Sequence, residues 1–178
     1  MSYQKNFKNI QTQLDLQPDL PQVKGDESQL SQVFINIILN AIDAMPGGGI
    51  LEIQTKKHVI EYPSGDRPQR MYPPRRRSDP MEADYSHLRG RHPYVAGLSK
   101  FSKGDRLVQV RITDTGTGIK RENLENIFDP FFTTKAPDKG TGLGLSISLK
   151  IVESFGGEIR VESEVGKGTA FEIYFPAT

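Results

Sequence analysis

The chain has 178 residues, of which 35% are hydrophobic and 25% charged, and its 23 basic residues nearly balance 22 acidic ones. This length suffices for one domain with a substantial core, and the balanced charge provides no overall field that would favour nucleic acid or an anionic membrane. The absence of cysteine excludes disulfides and thiolate metal sites. Since no apolar run reaches the length of a membrane span and no signal-peptide core is present, we expect a cytoplasmic location, and a longer, membrane-anchored parent protein stays open.

The first predicted element is a strand over Phe7 to Leu16, where apolar and polar residues alternate ahead of two prolines. A long helix is predicted next, within Asp26 to Gly49. Asp26 is a suitable N-cap with Gln29 three residues later, and the glycines that follow Pro46 end the helix.

This helix carries one polar stripe. At about 100° per residue its polar side chains fall within an arc of roughly 80°, and apolar side chains cover the rest, so we expect the helix to be buried nearly all round. The stripe consists of Gln29, Gln32, Asn36, Asn40 and Asp43. Burying such groups costs about 1 to 3 kcal/mol each unless they face something polar. The stripe therefore predicts either a ligand beside it or amides bonded to neighbouring backbone.

Two further strands are predicted, over Ile50 to Ile60 and over Leu107 to Thr113, and their alternation indicates that they pair. Between them, Pro63 to Lys100 contains half of the chain's 12 prolines together with seven arginines. This composition predicts a structureless insertion, with a basic docking patch as the alternative. The histidines show no metal-ligand spacing and receive no role.

A segment rich in glycine and phenylalanine follows. Asp114 ends a strand, and Gly116 and Gly118 let the backbone turn sharply beside a flat ligand whose exocyclic amine could donate to the carboxylate. A short helix is predicted over Lys120 to Ile127, and after it an apolar cluster that anchors one end of a movable flap with a polar middle, Thr133 to Lys139. The members of this cluster are Ile127, Phe128, Phe131 and Phe132.

Three alternate glycines between Gly140 and Gly144 open a further predicted helix, Leu143 to Phe155, and place several backbone N–H groups at its N-terminus. Such an arrangement binds phosphate, although a G-x-G-x-G spacing alone is a weak signal. Alternation over Glu158 to Ser163 and over Thr169 to Phe175 predicts a final hairpin.

Taken in order, the segments N-x-x-x-N, D-x-G-x-G, F-x-P-F-F, G-T-G-L-G-L and G-K-G-T resemble the catalytic ATP-binding domain of sensor histidine kinases, in the superfamily that includes gyrase, heat-shock chaperones and MutL. The segments NAIDAMPGGG and FDPFFTTK are similar to those of the nitrogen-regulatory type of histidine kinase. The resemblance implies a two-layer α/β sandwich, the Bergerat fold, with a mixed β-sheet and helices on one face. One domain would span residues 1–178, interrupted by the insertion at about 63–100.

The resemblance also implies a site for ATP and Mg²⁺. Asn40 would be the Mg²⁺ ligand, with Asn36 supporting the phosphates and the ion, and Asp43 would hold an ion-bound water. Asp114 would accept from the adenine amine, and Lys135, in a lid segment from about Phe128 to Thr141, would meet the γ-phosphate. The implied catalytic residues are Asn36 and Lys135. The implied ATP-binding residues are Asn36, Asn40, Asp43, Asp114, Gly116, Gly118, Ile119, Lys135, Gly140, Thr141, Gly142, Leu143, Gly144, Leu145 and Thr169.

One departure bears on the reaction. In the hydrolases that this chain resembles, the position four before the Mg²⁺ ligand is a glutamate that activates water, whereas Asn36 cannot act as a base. The resemblance therefore favours phosphoryl transfer. No histidine lies in a recognisable phosphoacceptor helix, so the acceptor is expected on a separate dimerisation domain.

The expected partners follow from that reading. They are the His-bearing domain of the parent protein, which would be a homodimer, and a downstream response regulator. The isolated domain is expected to be a monomer without nucleic-acid or direct membrane contact. Two alternatives stay open, namely an ATPase of the same superfamily and a non-catalytic ATP-binding regulatory module.

Overall fold

The computed structural model describes residues 9–61, 98, 100–136 and 140–178. This part of the chain forms five strands and three helices. The strands are β1 (Ile10–Leu16), β2 (Gly49–Val59), β3 (Arg106–Asp114), β4 (Glu158–Glu164) and β5 (Gly168–Pro176). The helices are α1 (Glu27–Ala44), α2 (Arg121–Leu124) and α3 (Gly144–Ser154). None of these helices has the length and hydropathy needed to cross a membrane.

The strands form one mixed sheet in the order β1-β2-β3-β5-β4. β1 runs parallel to β2, and the other neighbours are antiparallel. The predicted pairing of the second and third strands and the predicted C-terminal hairpin are both confirmed. In this register Thr169 on β5 lies opposite Asp114 on β3 and opposite Ser163 on β4.

α1 begins where its sequence predicts, because the Asp26 carboxylate accepts a hydrogen bond from the Gln29 N–H at 2.9 Å. The helix ends at Ala44, somewhat before the glycines. The prediction that it is buried nearly all round is wrong, since Gln29 and Gln32 are exposed and Ile35 is 54% exposed. In a two-layer sandwich only one side of a helix meets the sheet and its neighbouring helix.

The core lies between one face of the sheet and the helical layer. α1 and α3 pack against each other, and side chains from both helices and from the central strands are fully buried. They include Val33, Ile37, Ile112, Val152 and Ile173. A second, smaller cluster, formed by Ile60, Leu98, Phe101, Leu107 and Tyr174, lies on the opposite face, as the alternation of β3 and β5 requires.

Some predicted helix bounds and one predicted apolar contact differ from the structure. α2 is shorter than the predicted Lys120 to Ile127 helix, and Leu143 and Phe155 are the caps of α3. The predicted apolar anchor is wrong for one member, because Phe131 is 75% exposed at φ 69°. Its N–H donates to the Gly142 carbonyl at 3.0 Å, so the backbone here is bonded to the segment before α3 while the side chain lies in solvent. Most of the predicted insertion, and residues 7–8 of the first predicted strand, lie outside the described residues.

Candidate functional site

Two other segments with sequence motifs, the loop after β3 and the start of α3, contact α1. The Asn36 side chain donates through Nδ2 to the Gly144 carbonyl at 3.1 Å and to Ser148 Oγ at 3.2 Å, which joins the polar stripe to the first turns of α3. The Thr117 N–H donates to the Ala44 carbonyl at 2.9 Å, which joins the loop after β3 to the end of the same helix. The structure therefore gathers residues that are about 110 positions apart in the chain.

Asp114 is buried, with 4% of its surface exposed. Its Oδ1 accepts from the Gly116 N–H at 2.8 Å, and the Thr169 N–H also stabilises the carboxylate. Burial raises the pKa of Asp114 above its usual range, and these two backbone donors oppose the shift without cancelling it. The carboxylate is thus held by the backbone while its remaining lone pairs stay available as acceptors.

The loop after β3 accepts no side chain at its glycines. A Cβ on Gly116 would lie 2.6 Å from the Ala44 carbonyl oxygen, and one on Gly118, which has φ 69°, would collide with the Glu164 backbone. Both positions therefore need glycine to keep the loop close to α1 and to the end of β4. The glycines allow the sharp turn that the sequence predicts after Asp114, and their close approach to a flat ligand stays a prediction.

A serine that the sequence motifs do not contain joins this loop to the C-terminal hairpin. Ser163 Oγ accepts from the Ile119 N–H at 2.8 Å, donates to the Gly168 carbonyl at 3.0 Å, and lies 2.9 Å from Thr169 Oγ1. Thr169 is 5% exposed. Sequence reasoning missed Ser163, because on its own strand it is one more residue of an alternating pattern.

The last two residues of the polar stripe contact the side-chain ammonium group of Lys135. Lys135 Nζ donates to Asn40 Oδ1 at 3.0 Å and to Asp43 Oδ2 at 2.7 Å. Asn36 thus bonds neighbouring backbone, as one of the two alternatives predicts, and Asn40 and Asp43 meet the ammonium group of Lys135, so a ligand beside the stripe stays a prediction. Gln29 and Gln32, at the exposed start of α1, lie outside this cluster.

The side-chain oxygens of Asn40 and Asp43 suit a hard divalent cation that takes most of its ligands from groups other than protein side chains. An amide oxygen and a carboxylate oxygen already converge on one ammonium group. In the described ranges no group of three or more His, Cys, Asp or Glu side chains could hold a metal by itself. Mg²⁺ prefers oxygen ligands and usually takes one or two from the protein, with phosphates and waters supplying the others.

The start of α3 lies next to the same cluster. Leu143 N–H donates to Thr141 Oγ1 at 3.4 Å, and Gly142, at φ 67°, leaves no space for a Cβ against the Phe131 backbone. Gly140 lies beside Lys135, because a Cβ there would come within 3.2 Å of Lys135 Cδ. The first N–H groups of an α-helix have no partner within the helix, so Gly144 and Leu145 offer donors here.

Comparisons with known proteins agree with this geometry. The sequence profile of the family described as histidine kinase-, DNA gyrase B-, and HSP90-like ATPase matches residues 92–178. The matched region contains the D-x-G-x-G loop, Lys135, the start of α3 and the C-terminal hairpin.

Curated relatives align with nearly the whole chain. The sensor kinase CckA of Brucella abortus is 40% identical over 169 residues, which are 95% of this chain and 15% of the relative. Sporulation kinase E of Bacillus subtilis is 35% identical over 99% of this chain and 18% of its own length. The sensor histidine kinase ZraS of Escherichia coli is 31% identical over 99% of this chain and 28% of its own length. The chain thus spans less than a third of each of these relatives.

Solved structures give the same result. The nucleotide-free catalytic domain of the histidine kinase ThkA matches with a TM-score of 0.61 at 28% identity, over 99% of this chain and 85% of that one. The mycobacterial sensor histidine kinase MprB has a TM-score of 0.62 over 98% of this chain and 87% of that one, and its 22% identity supports the fold alone. The chain therefore belongs to the histidine kinase-, DNA gyrase B- and HSP90-like ATPases. Within that family it is a catalytic domain of the sensor histidine kinase type, which confirms the resemblance and the predicted α/β fold.

Proposed function

We propose that this chain binds ATP with Mg²⁺ and presents the γ-phosphate to a histidine on a separate dimerisation domain. The observation that supports this most is the common location of a buried acceptor, Asp114, a pair of oxygens that share one cation, Asn40 and Asp43, and the N-terminus of α3. Asp114 suits the base of one nucleotide, Asn40 and Asp43 suit its metal ion, and the N-terminus of α3 suits its phosphates.

At the base end, Asp114 accepts a hydrogen bond from the exocyclic amine of adenine. Its carboxylate is oriented by the Gly116 and Thr169 backbone, so little freedom is lost when the base arrives. Gly116 and Gly118 let the ring approach the backbone, Ile119 contributes an apolar contact, and Thr169 contributes its hydroxyl.

At the phosphate end, Asn40 would provide Oδ1 to the metal, and Asp43 would hold one of its waters. Bound Mg²⁺ would neutralise phosphate charge as it builds up during transfer. Backbone N–H groups bind phosphate oxygens from the residues Gly140, Thr141, Gly142, Leu143, Gly144 and Leu145. Lys135 exchanges its contacts with Asn40 and Asp43 for the γ-phosphate.

Asn36 supports this end of the site without acting as a base. Its Nδ2 is committed to the Gly144 carbonyl and to Ser148, and an amide does not accept a proton from water at neutral pH. Its Oδ1 is a second candidate ligand of the metal. Transfer to another protein group is therefore favoured over hydrolysis.

The partners of the domain belong to the same proposal. The acceptor histidine lies on the dimerisation domain of a longer, homodimeric parent protein, and a response regulator then receives the phosphoryl group. Residues 1–178 act as one domain on the cytoplasmic side, where ATP is available, without nucleic-acid or direct membrane contact.

The test uses the purified chain, the separately purified dimerisation domain of the parent protein and γ-labelled ATP. We expect acid-labile, base-stable label on the dimerisation domain, which is the behaviour of phosphohistidine, and loss of that label with Asp114→Ala. Steady release of phosphate by the chain alone, with no label on the partner, would instead identify an ATPase. Binding of ATP without either reaction would identify a regulatory module.

A further inference from the structure

Ser163, Thr169 and Asp114 form a row across three neighbouring strands. Thr169 is the register partner of Ser163 on β4 and of Asp114 on β3. Side chains that lie directly opposite each other in antiparallel strands point to the same face of the sheet, here the face covered by the helices. The Ser163 hydroxyl is therefore next to Thr169, which is in turn next to the carboxylate that we assign to the adenine amine.

The hydrogen bonds of Ser163 determine where the hydroxyl protons point. A serine hydroxyl donates one hydrogen bond and accepts two. The Ile119 N–H, at 2.8 Å, can only donate, and the Gly168 carbonyl, at 3.0 Å, can only accept. The proton of Ser163 is thus used by Gly168. The 2.9 Å contact with Thr169 Oγ1 is then a hydrogen bond only if Thr169 is its donor.

With this assignment the Thr169 hydroxyl can only accept, and not donate, a hydrogen bond with any further partner. Its single hydroxyl proton is committed to Ser163, and both Thr169 and Asp114 are at most 5% exposed, so water does not freely reorganise the pair. The base end therefore presents acceptors from both side chains. Adenine offers an amine with two hydrogens to such a surface, whereas guanine carries a carbonyl oxygen at the equivalent position and would be repelled.

We infer that Ser163 is a positioning residue for base selection, which holds the Thr169 hydroxyl as an acceptor and so favours adenine over guanine nucleotides. This inference rests on the proposed binding of ATP. Ser163 itself acts only through Thr169 and through the Ile119 N–H, which keeps the D-x-G-x-G loop against the hairpin.

The experiment measures equilibrium binding of ATP and of GTP, each with Mg²⁺, to the whole chain by calorimetry. In Ser163→Ala the Thr169 proton is released and can turn toward a guanine carbonyl. We expect the preference for ATP over GTP to fall by about tenfold, mainly through tighter GTP binding, with ATP affinity changed by only a few fold. Ser163→Thr keeps the hydroxyl and should retain the wild-type preference.

Two further variants separate positioning from a general structural effect. Ser154→Ala removes a serine hydroxyl that bonds to the Ile151 carbonyl at the end of α3, and it should leave both affinities unchanged. Thr169→Val removes the hydroxyl on which Ser163 acts. In the Thr169→Val background, the further change Ser163→Ala should no longer alter the ratio of the two affinities.

Each outcome bears on one of the two ideas. An equal loss of ATP and GTP binding in Ser163→Ala, or an unchanged preference, would show that Ser163 is merely structural and would overturn the inference. An additive effect of Ser163→Ala in the Thr169→Val background would overturn it as well. Failure of the wild-type chain to bind ATP would overturn the proposed function, and the inference with it. Because Thr169→Val and Ser163→Thr report on the same hydrogen bond, the test does not depend on the folding of one variant.

Discussion

Replacing Lys135 by methionine is expected to have opposite effects on the binding of Mg²⁺ alone and of Mg²⁺ with ATP. Lys135 Nζ lies 2.7 Å from Asp43 Oδ2 and 3.0 Å from Asn40 Oδ1. A metal ion that uses these oxygens has to displace the ammonium group. A γ-phosphate, by contrast, gives the ammonium group a new partner. Methionine keeps a long apolar stem and removes the charge.

The magnitude follows from the exposure of the ion pair. The Lys135 and Asp43 side chains are 33% and 24% exposed, between the surface and the interior. A surface ion pair contributes about 0.2–1 kcal/mol, and a hydrogen bond to a charged group about 1.5–3 kcal/mol. Allowing for solvent screening, we expect the contact to contribute about 1–1.5 kcal/mol, so the methionine variant should bind the metal roughly tenfold more tightly without nucleotide.

The assay follows broadening of the Asn40 side-chain amide resonances by Mn²⁺, as a paramagnetic substitute for Mg²⁺, and then measures Mg²⁺–ATP affinity by calorimetry. Lys167→Met is the matched control, because Lys167 makes a 2.8 Å contact with Glu164 at an exposed turn, away from Asn40 and Asp43. Equal metal affinity in wild type and Lys135→Met would refute the competition between the ammonium group and the metal. Tighter ATP binding in the variant would refute the γ-phosphate contact.

Three further predictions concern the rest of the site. Asn40→Asp should weaken phosphoryl transfer more than it destabilises the fold, and an unchanged melting shift with Mg²⁺–ATP would remove Asn40 from the site. Because burial raises the pKa of Asp114, ATP affinity should fall on acidification at a higher pH than an ordinary aspartate would give, and Asp114→Asn should lose this pH dependence. Replacing residues 63–97 by a short Gly-Ser linker should leave ATP affinity within a few fold, and a larger loss would show a functional insertion.

Local signals account for the elements that could be predicted from the sequence. The N-cap at Asp26 and the alternation of the strands depend on neighbours a few residues away, and the structure reproduces both. The exposure of Ile35 could not be predicted in this way. Helical periodicity identifies apolar positions, but only the layer arrangement decides which of them another element covers.

The parts of the site that could not be predicted depend on non-local contacts. Ser163 gains its role from the register that sets it opposite Thr169, and that register is a property of two paired strands. The position of Lys135 depends on the lid segment reaching α1, 92 residues earlier in the chain. The resemblance to histidine kinases implies that this lysine belongs to the site, but its contacts with Asn40 and Asp43 arise only in the folded chain.

Asn36 connects the architecture of the site to the proposed reaction. Its Nδ2 donates to the Gly144 carbonyl at the start of α3 and to the fully buried Ser148, so the amide holds together the two helices that flank the proposed phosphate site. A carboxylate in the same place would face that carbonyl without a proton to donate, at a cost of about 1–3 kcal/mol, and would add negative charge beside the phosphates. The amide avoids both penalties, but it cannot act as a base and therefore cannot activate water. An α1–α3 junction of this kind suits a domain that holds ATP intact until an acceptor from another domain arrives.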